Sequence, residues 1–160
     1  MRKNQRNNAV DITKSGARAV ALKCLLRWAK GGVFAETLVA REAAALSSAD
    51  RALVLAIVLG TLRNMRWLEH LSKSLRPTPM EDTAHWLVML GLCQLFILGQ
   101  AEHAAVCETV SVAPARLRGL VNGILRNAVR RRAEFESERG SLPLGVRYSS
   151  PGLVGEALGG

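Results

Sequence analysis

An all-α fold of six or seven helices follows from three observations on this 160-residue chain. Apolar residues recur at three- and four-residue steps through almost every segment with enough of them to form a core. No segment of strand length alternates apolar with polar residues between turn signals. Gly, Pro and Ser fall between the periodic segments, where helices are expected to start and stop. With 49% hydrophobic residues the chain can bury a substantial core, which excludes general disorder and predicts one domain.

Taken in order, residues 1–12, MRKNQRNNAVDI, are basic, Asn-rich and poor in large apolar groups, so they are expected to form a flexible arm. The helical domain is then expected over 13–138. From Thr13 or Ser15 as N-cap, the spacing of Ala17, Val20, Ala21, Cys24, Leu25 and Trp28 predicts a helix that Gly31-Gly32 stops. A short helix is expected over 34–46. Ser47-Ser48, with Asp50 in the first turn, predicts the start of a long, central helix over 51–75, which Gly60 would bend or divide. Pro77 and Pro79 enforce a turn. Glu81, Asp82 and Thr83 then open an almost wholly apolar, buried helix that reaches Leu98 and ends at Gly99.

His103 or its predecessor begins the next helix, which Pro114 closes. The last helix, 114–132, places Leu117, Leu120, Val121, Ile124, Leu125, Ala128 and Val129 on a core face, with Gly119, Gly123, Arg126 and Arg130 opposite. Residues 139–160 are rich in Gly, Ser and Pro and read as a linker.

The net charge of +9 is unevenly placed. Residues 1–30 carry eight Lys or Arg against Asp11, and 115–147 carry eight Arg against three Glu, whereas 31–114 are close to neutral. Two cationic surfaces on a packed scaffold point to a polyanion, nucleic acid first. The candidate phosphate-binding residues are Arg2, Lys3, Arg6 and Lys14 before or at the first helix, Arg18, Lys23 and Arg27 on it, and Arg116, Arg118, Arg126, Arg130 and Arg131 on the last. Trp28, Trp67, Trp86 and Tyr148 interleave with core positions and are read as packing rather than base-stacking residues.

Other chemistry finds little support. No phosphate-binding loop, nucleophile elbow or zinc-spaced cysteine pair is present. His103 and Cys107 lie four apart, but two ligands do not make a metal site. Three scattered cysteines argue against a disulfide framework and fit a reducing, cytoplasmic setting. The longest apolar run, 86–98, is short for a membrane span, and Lys23 and Arg27 interrupt any secretory signal.

In order, LSSADRALVLAIVLGTLRN (46–64), WLVMLGLCQLFILG (86–99), HAAVCETV (103–110) and LVNGILRN (120–127) resemble the NusB-type helical RNA-binding domain. The form most similar is the one at the N-terminus of the small-subunit ribosomal RNA cytosine-5 methyltransferases of the RsmB family. The tail motif from Arg147 to Pro151 is similar to the segment leading from that domain toward the catalytic region. The resemblance implies an RNA-binding accessory domain without activity of its own. Its partners would be ribosomal RNA and a catalytic domain or another protein, and S-adenosylmethionine would be the cofactor of the whole enzyme, not of this chain. The alternative is a free-standing protein-interaction or antitermination module, which would not need the tail motif.

Overall fold

The computed structural model describes residues 16–141. Eight α-helices follow one another: α1 (Ala17–Ala29), α2 (Ala35–Glu42), α3 (Ser48–Arg63), α4 (Met65–Leu75), α5 (Asp82–Leu92), α6 (Glu102–Ser111), α7 (Ala115–Arg130) and α8 (Arg132–Ser141), with a π-helical turn at Cys93–Ile97. The described residues contain no strand.

The punctuation acts largely as expected. Ser47 caps α3, its hydroxyl accepting from the Asp50 N–H at 3.2 Å. Gly31 and Gly32 take φ of +83° and +87° after α1, a region that residues with a Cβ rarely adopt. Thr13 and Ser15 lie outside the described residues, and Gly16 occupies the N-cap position of α1. Pro114 is likewise the N-cap of α7 rather than its first residue.

Three differences from the expected layout have physical causes. The 51–75 segment divides at Asn64, not Gly60; the Asn64 side-chain amide donates to the Gly60 carbonyl at 2.8 Å, turning the backbone before α4 starts. Gly60 instead permits close approach, since a Cβ there would lie 3.0 Å from the Cys93 sulfur. The second break falls at Arg131, and α8 then runs to Ser141, beyond the boundary expected at 138. That turn carries Phe135 to a fully buried position, edge-on to Phe96 with centroids 6.1 Å apart. These breaks raise the number of α-helices among the described residues to eight.

The third difference concerns the centre. It is α5, not the 51–75 segment, that lies innermost: every residue from Trp86 to Leu92 is buried, and α1 and α7 are both principal neighbours. Gly91 allows α7 to pack closely, its missing Cβ being replaced by Leu125. α3 buries one face and leaves Leu55 exposed. Beyond α5 the helix widens, with the Leu98 N–H donating to the Cys93 carbonyl at 2.9 Å, and Gly99 closes it at φ +62°.

The widened turn holds the fully buried Gln94 in a polar junction. Its amide donates to the Leu90 carbonyl at 3.0 Å and the Thr109 hydroxyl at 2.9 Å, and its oxygen accepts from Arg18 Nε at 2.8 Å. The start of α1, the π turn and α6 are thereby joined. No helix of the described residues is long and apolar enough to cross a membrane.

Candidate nucleic-acid interface

α7 has a sharply divided surface because its apolar residues follow the helical period. Leu117, Val121, Ile124, Leu125 and Ala128 are buried, which leaves Arg118, Asn122, Arg126 and Arg130 at four-residue steps beside α6. At 1.5 Å per residue that row spans about 18 Å. Two hollows lie between the antiparallel helices. One, of about 270 Å³, is lined by Glu102, His103, Val106, Arg126, Val129 and Arg130. The other, of about 530 Å³, brings Cys107, Val110 and Ser111 opposite Arg118 and Asn122.

Ion pairing determines the sign of this groove. Both carboxylates of α6 are engaged by arginines from other elements: Glu102 by Arg132 at 2.9 Å, and Glu108 by Arg18. Arg132 is held in turn through the Leu95 carbonyl at 2.7 Å. By contrast, Arg118 donates to the Ala113 carbonyl and Arg126 to the Asn122 side chain, and neither pairs with a carboxylate among the described residues. Arg130 is exposed and likewise has no ion pair there. Three guanidinium groups therefore face solvent along one groove with their charge uncompensated. Gly119 and Gly123 lie on the same exposed side, with open space where a Cβ would stand.

The other sequence candidates have different surroundings. Arg2, Lys3, Arg6 and Lys14 lie outside the described residues. Arg18, with a side chain only 15% exposed, is bound by Gln94, Gln100 and Glu108. Lys23 pairs with Glu42 at 2.7 Å, whereas Arg27 donates to the Gly31 carbonyl at 3.0 Å. Arg116 grips Glu81, and its hydrogen bond holds the Glu81 carboxyl below the ordinary carboxylate range. Arg131 pairs with Glu134 at 2.8 Å and lies over the Phe135 ring at 4.5 Å. Thus Arg118, Arg126 and Arg130 come together, while the α1 cations belong to a helix whose principal neighbours are α2, α3 and α5.

Asn122 and Arg132 are parts of this arrangement that were not among the phosphate-binding candidates expected from the sequence. The i, i+4 relation of Asn122 to Arg126 was available as a signal, whereas the contact of Arg132 with Glu102 depends on tertiary packing.

No group of three or more potential metal ligands occurs among the described residues. Burial pushes the Cys24 and Cys93 thiols up to about 11, so both are protonated core residues near neutrality. Cys107 is partly exposed beside His103, with sulfur to Nε2 at 3.6 Å.

A model of the NusB family matches residues 15–130. The chain belongs to the NusB family. It is also similar to proteins named ribosomal RNA small subunit methyltransferase B. The Shigella flexneri serotype 5b protein is 39% identical over 100 residues, covering 58% of this chain and 23% of the relative. The Yersinia enterocolitica protein is 35% identical over 125 residues, covering 74% and 29%. The matched region thus spans about a quarter of these relatives' length. The NusB match includes α1 to α7, and hence both walls of the arginine groove.

Proposed function

We propose that this chain is the RNA-binding domain of a small-subunit ribosomal RNA cytosine-5 methyltransferase of the cytoplasm, and that the α6/α7 groove holds RNA phosphates. The observation that carries this reading is the selective pairing of charge. Both α6 carboxylates are occupied, while Arg118, Arg126 and Arg130 retain uncompensated charge along one line. Such a row binds a polyanion by counterion release and contributes position rather than sequence readout. The likeness to the named methyltransferases supports ribosomal RNA as the partner. The basic arm, Arg2 to Lys14, would add further phosphate contacts.

In a whole enzyme the rigid helical scaffold would orient RNA toward a catalytic domain. S-adenosylmethionine, the methyl donor there, carries a sulfonium cation that the arginine-lined groove does not suit, so the donor would be bound by the catalytic domain. This domain's residues would bind and orient nucleic acid and perform no bond-making step.

Binding to a small-subunit ribosomal RNA fragment and to an unrelated structured RNA across a salt series tests the proposal. The Arg126→Glu/Arg130→Glu variant should lose most of its affinity, and wild-type preference for the ribosomal fragment should survive rising salt. A second reading, a protein-interaction or antitermination module, draws on the open face at Gly119 and Gly123. It would be favoured if the charge-reversed variant bound RNA normally but failed to assemble with a protein partner.

A further inference from the structure

The connector between α1 and α2 exposes an aromatic ring that the fold does not use. Phe34 is 81% exposed; Leu55, at 38%, is the other exposed large hydrophobic among the described residues. Trp67 and Trp86 are buried and Trp28 is half-buried. Burying a Phe stabilises a fold by about 1.5–3 kcal/mol, and this ring forgoes most of that gain.

The turn that presents it is held in place. The Gly31 N–H donates to the Trp28 carbonyl at 2.9 Å, Arg27 Nη1 donates to the Gly31 carbonyl at 3.0 Å, and both glycines have positive φ. Phe34 itself is the N-cap of α2, its carbonyl accepting from the Leu38 N–H at 3.1 Å. Along the chain, Gly31, Gly32, Glu36 and Thr37 are small or polar and exposed, Val33 is half-buried against the core, and Ala35 is buried. Arg27 and Lys30 are exposed, and neither has a carboxylate partner among the described residues. The acidic groups of this region are Glu36, in the first turn of α2, and Glu42, which is engaged by Lys23.

An exposed aromatic ring on a connector whose leading end carries two exposed cations suits an unpaired nucleotide better than a protein pocket. The base stacks on the ring and its phosphates meet the cations. We propose that Phe34, with Arg27 and Lys30, forms a base-stacking contact for an unpaired nucleotide of bound RNA, on a part of the domain separate from the α6/α7 groove. The inference rests on the RNA-binding reading above. It also supplies what a row of phosphate-binding arginines lacks, a way to distinguish unpaired from duplex RNA.

The test compares Phe34→Ala, Phe34→Leu and Phe34→Trp with the wild-type chain. The probes are a stem-loop fragment of small-subunit ribosomal RNA, carrying 2-aminopurine at each loop position in turn, and a blunt RNA duplex. The Ala and Leu variants should bind the stem-loop about tenfold more weakly, lose the fluorescence quenching of one loop position and bind the duplex as wild type does. Phe34→Trp should restore both signals. Because the ring is exposed, all three variants should melt close to wild type, so a folding defect does not obscure the comparison.

Wild-type behaviour of Phe34→Leu on the stem-loop, or equal losses on both RNAs, overturns the proposal. So does an effect confined to self-association measured by sedimentation, which would make Phe34 a protein contact. If Phe34 variants bind normally while Arg126→Glu/Arg130→Glu does not, stacking fails and the groove reading stands. If wild type binds neither RNA at low salt, both fail.

Discussion

Replacing Arg18 by Met separates two roles that the sequence alone merges, phosphate contact and fastening of the fold. The guanidinium donates to Gln94 Oε1 at 2.8 Å and Gln100 Oε1 at 3.0 Å and pairs with Glu108. Met retains much of the apolar stem but removes every donor. The buried Gln94 oxygen would then lack this partner, which costs about 1–3 kcal/mol. Loss of the pair with the half-exposed Glu108 adds about 0–1 kcal/mol. A total near 1–4 kcal/mol corresponds, at about 3 °C per kcal/mol for a chain of this size, to a fall in Tm of roughly 3–12 °C.

Gln94→Leu should also destabilise, because it deprives Arg18 Nε and the buried Thr109 hydroxyl of partners. The Arg18→Met/Gln94→Leu double variant should be more stable than the sum of the single effects predicts, because neither half of the polar pair remains buried alone. Urea unfolding followed by circular dichroism measures all three variants, and RNA titration at a temperature where each is folded measures the other role. RNA affinity should fall only through the Glu108 charge left unpaired beside the groove, and Arg18→Met/Glu108→Gln should bring it back to within about twofold of wild type, since a partly buried guanidinium with three acceptors has little left to offer a phosphate. A variant as stable as wild type but with RNA binding lost would refute this account of Arg18.

Two further predictions address the core and pH. Gly91→Ala places a methyl group 2.6 Å from Leu125 Cδ1; overpacking should cost about 1–3 kcal/mol, partly offset by a helix-propensity gain of about 1 kcal/mol. In a Leu125→Ala background the same methyl enters vacated space, so Gly91→Ala should become neutral or stabilising, and denaturant melts of the four proteins would expose additivity if the contact is unimportant. Stability should also fall as pH drops from 8 to 5. Desolvation holds His85 below its usual range despite Glu69 and Asp82, so the unfolded chain takes up the proton first and stability is lost as pH falls through the unfolded-state value. His85→Phe should flatten that dependence in a series of thermal melts, and an unchanged slope would count against it.

Local pattern by itself determined the helices, the core face of α7 and the stops at Ser47, Gly31 and Gly99. Each depends on residues a few positions apart, within reach of helical period and capping. Even the buried character of 86–95 was plain from composition, although Phe96, Ile97 and Leu98 at the end of the apolar run are only half-buried. The breaks at Asn64 and Arg131 were not, because no Gly or Pro marks them and Phe135 turns inward for a tertiary contact with Phe96. The central place of α5 was equally hidden, since apolarity around a helix does not say which neighbours cover it.

The groove shows the division most clearly. The sequence determined that arginines would line one side of α7, but all the arginines looked alike there. Only the tertiary structure decided which carry free charge, because their carboxylate partners are distant in the chain: Arg18 meets Glu108 across 90 positions, Arg116 meets Glu81 across 35, and Arg132 meets Glu102 across 30. Coulomb attraction depends on separation in space, and folding sets that separation; it leaves Arg118, Arg126 and Arg130 uncompensated and Phe34 in solvent.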